Sequence, residues 1–168
     1  MAKLKGIKKL NKVISAQLKP FGIDKAFLDN EFCFYPDKDK VAYTLTYSVV
    51  DEWFNEYVKQ TFNYEVKYTF IISLLHEIGH YNTLDLVPDK AYLKAQKQKA
   101  KIDEKLKDVK TEDKEKALHF KYFGLSDEIV ATEWAVAYAK AHPKKIRKMW
   151  HKIYPAIMEF YALNKIHE

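Results

Sequence analysis

The chain has 168 residues, 48% of them hydrophobic, 15% aromatic and 31% charged, which is enough to build a real core in one domain and excludes a disordered chain or a coiled coil as the whole answer. The formal net charge is +6, but Arg147 is the only arginine among 29 basic residues. The bidentate fork that reads guanine is therefore nearly missing, and nucleic acid is discounted as a partner. The apolar runs fall far short of the roughly 20 residues of a membrane span, so no membrane partner is expected. The lone cysteine, Cys33, excludes a disulfide framework and suits a reducing compartment, from which a cytoplasmic location is expected.

The N-terminus, MAKLKGIKKLNKVISAQLKP, is basic with spaced apolar residues and has no signal-peptide h-region. It predicts an amphipathic helix over 3–18, with Leu4, Ile7, Leu10, Val13, Ile14 and Leu18 on one side and Pro20 ending it. The period then changes. Runs 31–35 and 41–47 flank the polar turn Pro36–Lys40 and read as a β-hairpin, with Val41, Tyr43, Leu45 and Tyr47 alternating against Ala42, Thr44 and Thr46. Helical spacing returns in VVDEWFNEYVKQTF and again over about 65–82. From 89 to 118 Lys, Asp and Glu dominate around a thin stripe of Tyr92, Ile102, Leu106, Val109 and Leu118, as in a solvent-facing helical hairpin. GLSDEIVATEWAVAYAKAHP opens a further helix at Ser126, which His142-Pro143 stops, and a last helix is expected to bend or restart near Pro155. The richness in Lys, Tyr, Phe and Ile is what an AT-rich genome encodes, a phage or a low-GC bacterium included.

The chemistry concentrates in FIISLLHEIGHYNT, residues 70–83. On a helix His76 and His80 project from one face with Cβ atoms about 5–6 Å apart, close enough to share a metal at Zn–N distances of about 2.0–2.1 Å. Glu77 lies about 100° around the helix and can face a metal-bound water as general base, the arrangement of H-E-x-x-H metalloproteases. Gly79 costs about 1 kcal/mol relative to alanine in mid-helix, a cost that close backbone approach would explain. Ile71, Leu74, Leu75 and Ile78 are the expected core face. The bland alternative is a core helix whose histidines bond to backbone.

A catalytic zinc needs a third protein ligand. Glu128, in the first turn of the helix opened by Ser126, is the leading candidate, because Ala131 and Ala135 would let that helix pack closely on the motif helix. Glu133 is the rival; five residues on, it points about 140° away, so the two cannot both serve. His119 is a weaker candidate, in a stretch that reads as loop. H-E-x-x-H followed by Glu128, Ala131 and Ala135 in E-x-x-A spacing resembles the gluzincin metallopeptidases, in particular the compact ImmA/IrrE-like and SprT-like groups of phage and mobile elements. The resemblance covers roughly residues 41–140. It implies a single zincin-like domain over 1–168, α+β and mostly helical, with a small antiparallel hairpin ahead of the motif helix and a Lys/Glu-rich helical insertion at about 89–118. It departs from the family at Thr132, where these proteins often carry Asp or Asn to support a ligand histidine, and in the 47 residues between His80 and Glu128.

The expectation is a zinc metallopeptidase acting on a protein or peptide substrate, with zinc on His76, His80 and Glu128, Glu77 as base, and the 41–47 strand aligning an extended peptide. Tyr154, His151 and Tyr161 are candidates for stabilising the oxyanion. A deformylase-like use of Cys33 fails for want of a Gly-rich glutamine motif, and a di-iron site lacks a second E-x-x-H. The alternative is a non-catalytic zincin-fold protein that contacts a protein or nucleic-acid partner, for which Glu77 would have no use.

Overall fold

The hydrophobic spacing changes from helical to alternating and back, and the backbone follows it. The computed structural model describes residues 4–36 and 39–165. Among these the order is α1 (Ile7–Leu18), β1 (Lys25–Leu28), β2 (Cys33–Tyr35), β3 (Lys40–Tyr43), α2 (Val49–Phe62), α3 (Thr69–Thr83), α4 (Asp89–Lys107), α5 (Glu112–Phe123), α6 (Ser126–Ala141) and α7 (Pro143–Asn164), an α+β arrangement dominated by helix. None of these helices is long and apolar enough to cross a membrane. The chain divides into two units, one of residues 1–45 with 141–168 and one of residues 46–140.

In the first unit α1 buries Leu10, Ile14 and Leu18, three of the six residues of its predicted stripe, with Ile7 and Val13 only half-buried. It begins at Ile7 rather than at residue 3, which lies outside the described residues. Gly6 adopts the left-handed φ of 75° ahead of it, and Leu4 is exposed. The sheet has the order β1-β3-β2, with β3 parallel to β1 and antiparallel to β2. The expected hairpin is therefore present as β2 and β3, with part of its turn, residues 37 and 38, outside the described residues. It is only part of a mixed sheet, because β1 went unrecognised: four residues are too few for alternation to stand out. The Ala26 amide of β1 donates to the Ser15 Oγ of α1 at 2.8 Å, which satisfies an amide that the sheet leaves unpaired. β3 stops at Tyr43, not at Tyr47, and is paired on both sides, so it has no open edge with which to align a peptide. The Tyr43 ring is fully buried, and its hydroxyl donates to Asn11 Oδ1 at 2.6 Å. α7 starts with Pro143 at its first turn, where a missing N–H costs nothing. It continues through Pro155 as one helix, buries Ile146, Met149, Ile153, Ile157 and Phe160, and is tied to α1 by Lys9–Glu159 at 2.6 Å.

In the second unit a capping box starts α2: the Ser48 amide donates to the Asp51 carboxylate at 2.7 Å, reciprocated at the Ser48 side chain. Asn63, left-handed at φ 49°, ends the helix. α3 starts at Thr69, four residues later than its apolar spacing suggests, because Tyr68 is extended. Every residue from Ile71 to Gly79 is buried, so α3 is a core helix all round rather than amphipathic. α4 and α5 are the expected charged helical pair. Their apolar edge, Ala95 and Ile102 with Leu106, Leu118 and Tyr122, packs around Leu125, which follows α5, whereas Tyr92 is exposed.

Candidate metal centre

α3 and α6 meet backbone to backbone at Gly79. A Cβ placed there would lie 2.3 Å from the Ala131 carbonyl oxygen, so only glycine allows this crossing. Ala131, Thr132, Ala135, Val136 and Ala139 of α6 are buried beside Asp127 and Glu128, while Glu133 faces solvent. Gly79→Ala therefore drives a methyl group into a rigid carbonyl. It is expected to cost the roughly 1–3 kcal/mol typical of overpacking, seen as a fall of roughly 2–12 °C in Tm. An unchanged Tm would show that the helices can part freely.

The close crossing brings His76, His80 and Glu128 together, with one ligand atom from each lying within 4.8 Å of the others. His76 Nε2 is 2.9 Å from Glu128 Oε2 and 3.1 Å from His80 Nε2, and His80 Nε2 is 3.5 Å from the same carboxylate oxygen. His76 and Glu128 are buried, and His80 is slightly more open. Thr132 of α6 lies beside His76. Its hydroxyl donates to the Glu128 carbonyl oxygen at 2.9 Å, so what it offers His76 Nδ1, 3.0 Å away, is a lone pair. Nδ1 then carries a hydrogen, so that a neutral His76 directs its Nε2 lone pair at the cluster and a protonated one donates Nε2–H to Glu128. The edge of Phe54 closes one side, with ring centroids 5.6 Å apart.

Electron-rich atoms thus converge with few protons to share, and a cation fits. Tetrahedral zinc with bonds of about 2.0–2.1 Å sets its ligand atoms roughly 3.3 Å apart, close to the three separations observed. Among the described residues the cluster contains neither Glu133, Cys33 nor His119. Cys33 is half-buried in β2. His119 lies in α5 rather than in a loop, with its ring 5.5 Å from that of Trp53, and burial lowers its pKa. Glu77 is buried in α3, and its charge helps to raise the pKa of His80. Tyr154, His151 and Tyr161 belong to α7 in the other unit, where the Tyr161 hydroxyl donates to the Leu45 carbonyl oxygen at 3.1 Å.

Lys99 of α4 went unrecognised in the sequence. Its ammonium bonds Asp127 Oδ2 at 2.6 Å and also Glu128 Oε1, and it lies 5.3 Å above the Tyr122 ring. Gln96 Nε2 adds a bond to Asp127 Oδ2 at 3.1 Å, while Asp127 Oδ1 is buried without a hydrogen-bond partner among the described residues. Glu128 therefore divides its oxygens, Oε1 to the lysine and Oε2 to the histidines. A metal here would meet one carboxylate oxygen, not two. Lys99 sat in a run of lysines that reads as solvated surface. The available signal was its spacing, four after Ala95 and three before Ile102, on the one buried stripe of α4.

Electrostatics couples the group. Burial alone would push the Glu128 carboxyl up, but hydrogen bonds and charge from His76 and His80 hold it well below its ordinary 4.5. Burial pulls the His80 imidazole down, yet Glu128, and then Glu77, carry it above its ordinary 6.5. With a depressed carboxylate, the stabilisation is present above pH 4.5 and is lost as pH falls through the lower folded value. With a raised imidazole, it is complete below pH 6.5 and is lost as pH rises through the higher folded value. In EDTA the cluster's contribution is therefore greatest between those limits. The urea midpoint should fall between pH 6 and 8, and His80→Gln should flatten that slope; an equal slope in both proteins would remove His80 as its source.

No family model, curated protein or solved structure matches the chain. The resemblance to gluzincins accordingly stands on the residues of this chain alone.

Proposed function

We propose that the protein is a zinc-dependent metallopeptidase in which His76, His80 and Glu128 hold the metal and Glu77 is the general base. The observation that carries this reading is the convergence of two imidazole nitrogens and a single carboxylate oxygen at 2.9, 3.1 and 3.5 Å, beside a buried glutamate on the same helix. Zinc in such a set lowers the pKa of water and polarises a peptide carbonyl. The Glu77 carboxylate takes a proton from the attacking water and returns it to the leaving amine. Thr132 keeps His76 in the tautomer that offers Nε2, and Lys99 holds Glu128 with one oxygen toward the histidines.

The test is metal analysis of the purified protein together with hydrolysis of a quenched, randomised peptide library. One zinc per chain is expected, lost in His76→Ala and in Glu128→Gln and retained in Glu133→Gln, with library cleavage that chelation abolishes. Loss of zinc in Glu133→Gln instead would overturn the ligand assignment. Zinc bound at full stoichiometry without cleavage of any library member would favour the non-catalytic binding protein.

A further inference from the structure

The unit that carries α1, the sheet and α7 contains a cavity of about 630 Å³ lined by residues of α1 and all three strands, a size typical of small-molecule sites. Four lysines line it, Lys8 and Lys12 from α1, Lys25 from β1 and Lys40 from β3, and among the described residues no acidic side chain does. None of the four makes an ion pair with any other described residue.

The sheet register sets two of these charges side by side. Lys25 and Lys40 are Cα partners on neighbouring strands, and like charges placed directly opposite repel. Tyr35 is the partner of Lys40 on its other side, so lysine, lysine and tyrosine form one row across the three strands. Phe27, two residues after Lys25 and on the same face of β1, lies against Tyr35 with ring centroids 5.7 Å apart. Both rings line the cavity and are half-buried. Asn11 also reaches it, and because its Oδ1 accepts the Tyr43 hydroxyl, the polar group it has left to offer is a donor.

We infer that this cavity binds a phosphorylated nucleoside, its phosphates among the lysines and its base against the Phe27–Tyr35 pair. Lysine ammoniums are point-charge partners for phosphate, and an aromatic face stacks on any base. The site needs no arginine fork because nothing in it reads a base edge. It does not rest on the metal-centre reading, whose residues belong to the other unit.

The test is calorimetric titration of the full-length chain, kept in EDTA at low salt, with ATP, pyrophosphate and adenosine. ATP is expected to bind more tightly than either fragment, and more weakly at higher salt through screening. Lys25→Gln/Lys40→Gln should weaken ATP and pyrophosphate by at least roughly tenfold, since the loss of even one of the two charged contacts is worth that much. Tyr35→Ala should weaken ATP and leave pyrophosphate unchanged. Failure of ATP to bind the unaltered protein, or equal ATP affinity in the lysine variant, overturns the site. Pyrophosphate binding as tightly as ATP overturns the nucleoside.

Discussion

Glu77→Gln is expected to retain one zinc per chain and to lower peptide hydrolysis by about 10²–10⁴-fold, the range that a positioned general base contributes. Glutamine keeps the length and planarity of the side chain, so the buried position on α3 remains filled and the flanking histidines keep their spacing. What is lost is the carboxylate lone pair that accepts a proton. The measurement pairs turnover on the peptide library with zinc content and with the Tm of the same preparation. A variant that keeps zinc and wild-type turnover would remove Glu77 from the mechanism. Loss of zinc together with activity would instead make Glu77 part of the metal's support.

Lys99→Met is expected to have the largest effect on stability. The side chains of Lys99, Asp127 and Glu128 are 15%, 7% and 8% exposed, so the substitution removes the cation that two buried carboxylates share, leaving Asp127 with Gln96 and Glu128 with the histidines. Removing one partner of a buried pair costs about 3–5 kcal/mol, or roughly 6–20 °C in Tm for a domain of this size. Methionine fills much of the same space, so little of the loss comes from packing. The zinc reading adds a sharper expectation. Two positive charges brought to Glu128 replace part of what the lysine supplied, so zinc should raise the Tm of Lys99→Met by more than it raises that of the unaltered protein. Lys99 would then be a positioning residue that also carries the counter-charge of the metal-free site. Equal zinc-induced shifts in the two proteins would confine Lys99 to holding Asp127.

How much of this was legible in the chain depends on how far each contact reaches. The pairing of His76 with His80 and the separate facing of Glu77 follow from the helical period alone, because residues four apart in one helix are neighbours whatever packs around them. The helical spacing of α2, the buried face of α1 and the charged α4–α5 pair were local in the same way. Thr132 was visible as a departure from the gluzincin pattern that the motif resembles, but its contact was not, because it depends on a hydroxyl on α6 meeting an imidazole on α3. β1 is paired in parallel with a strand that begins twelve residues after it ends, and nothing within its four residues encodes that.

The choice between Glu128 and Glu133 lies between these extremes. Both belong to α6, and the sequence by itself determined that they face different ways. Which of them meets the histidines was decided by the crossing at Gly79, where a bare Cα lets the Ala131 carbonyl oxygen approach and turns Glu128 inward. Lys99 belongs wholly to the tertiary structure. An ammonium among so many lysines becomes part of a site only when α4 packs its apolar stripe against Leu125 and carries that one side chain out of water. Helical periodicity acts within a few residues and can be read from sequence; burial and charge pairing between helices arise only once the chain has packed.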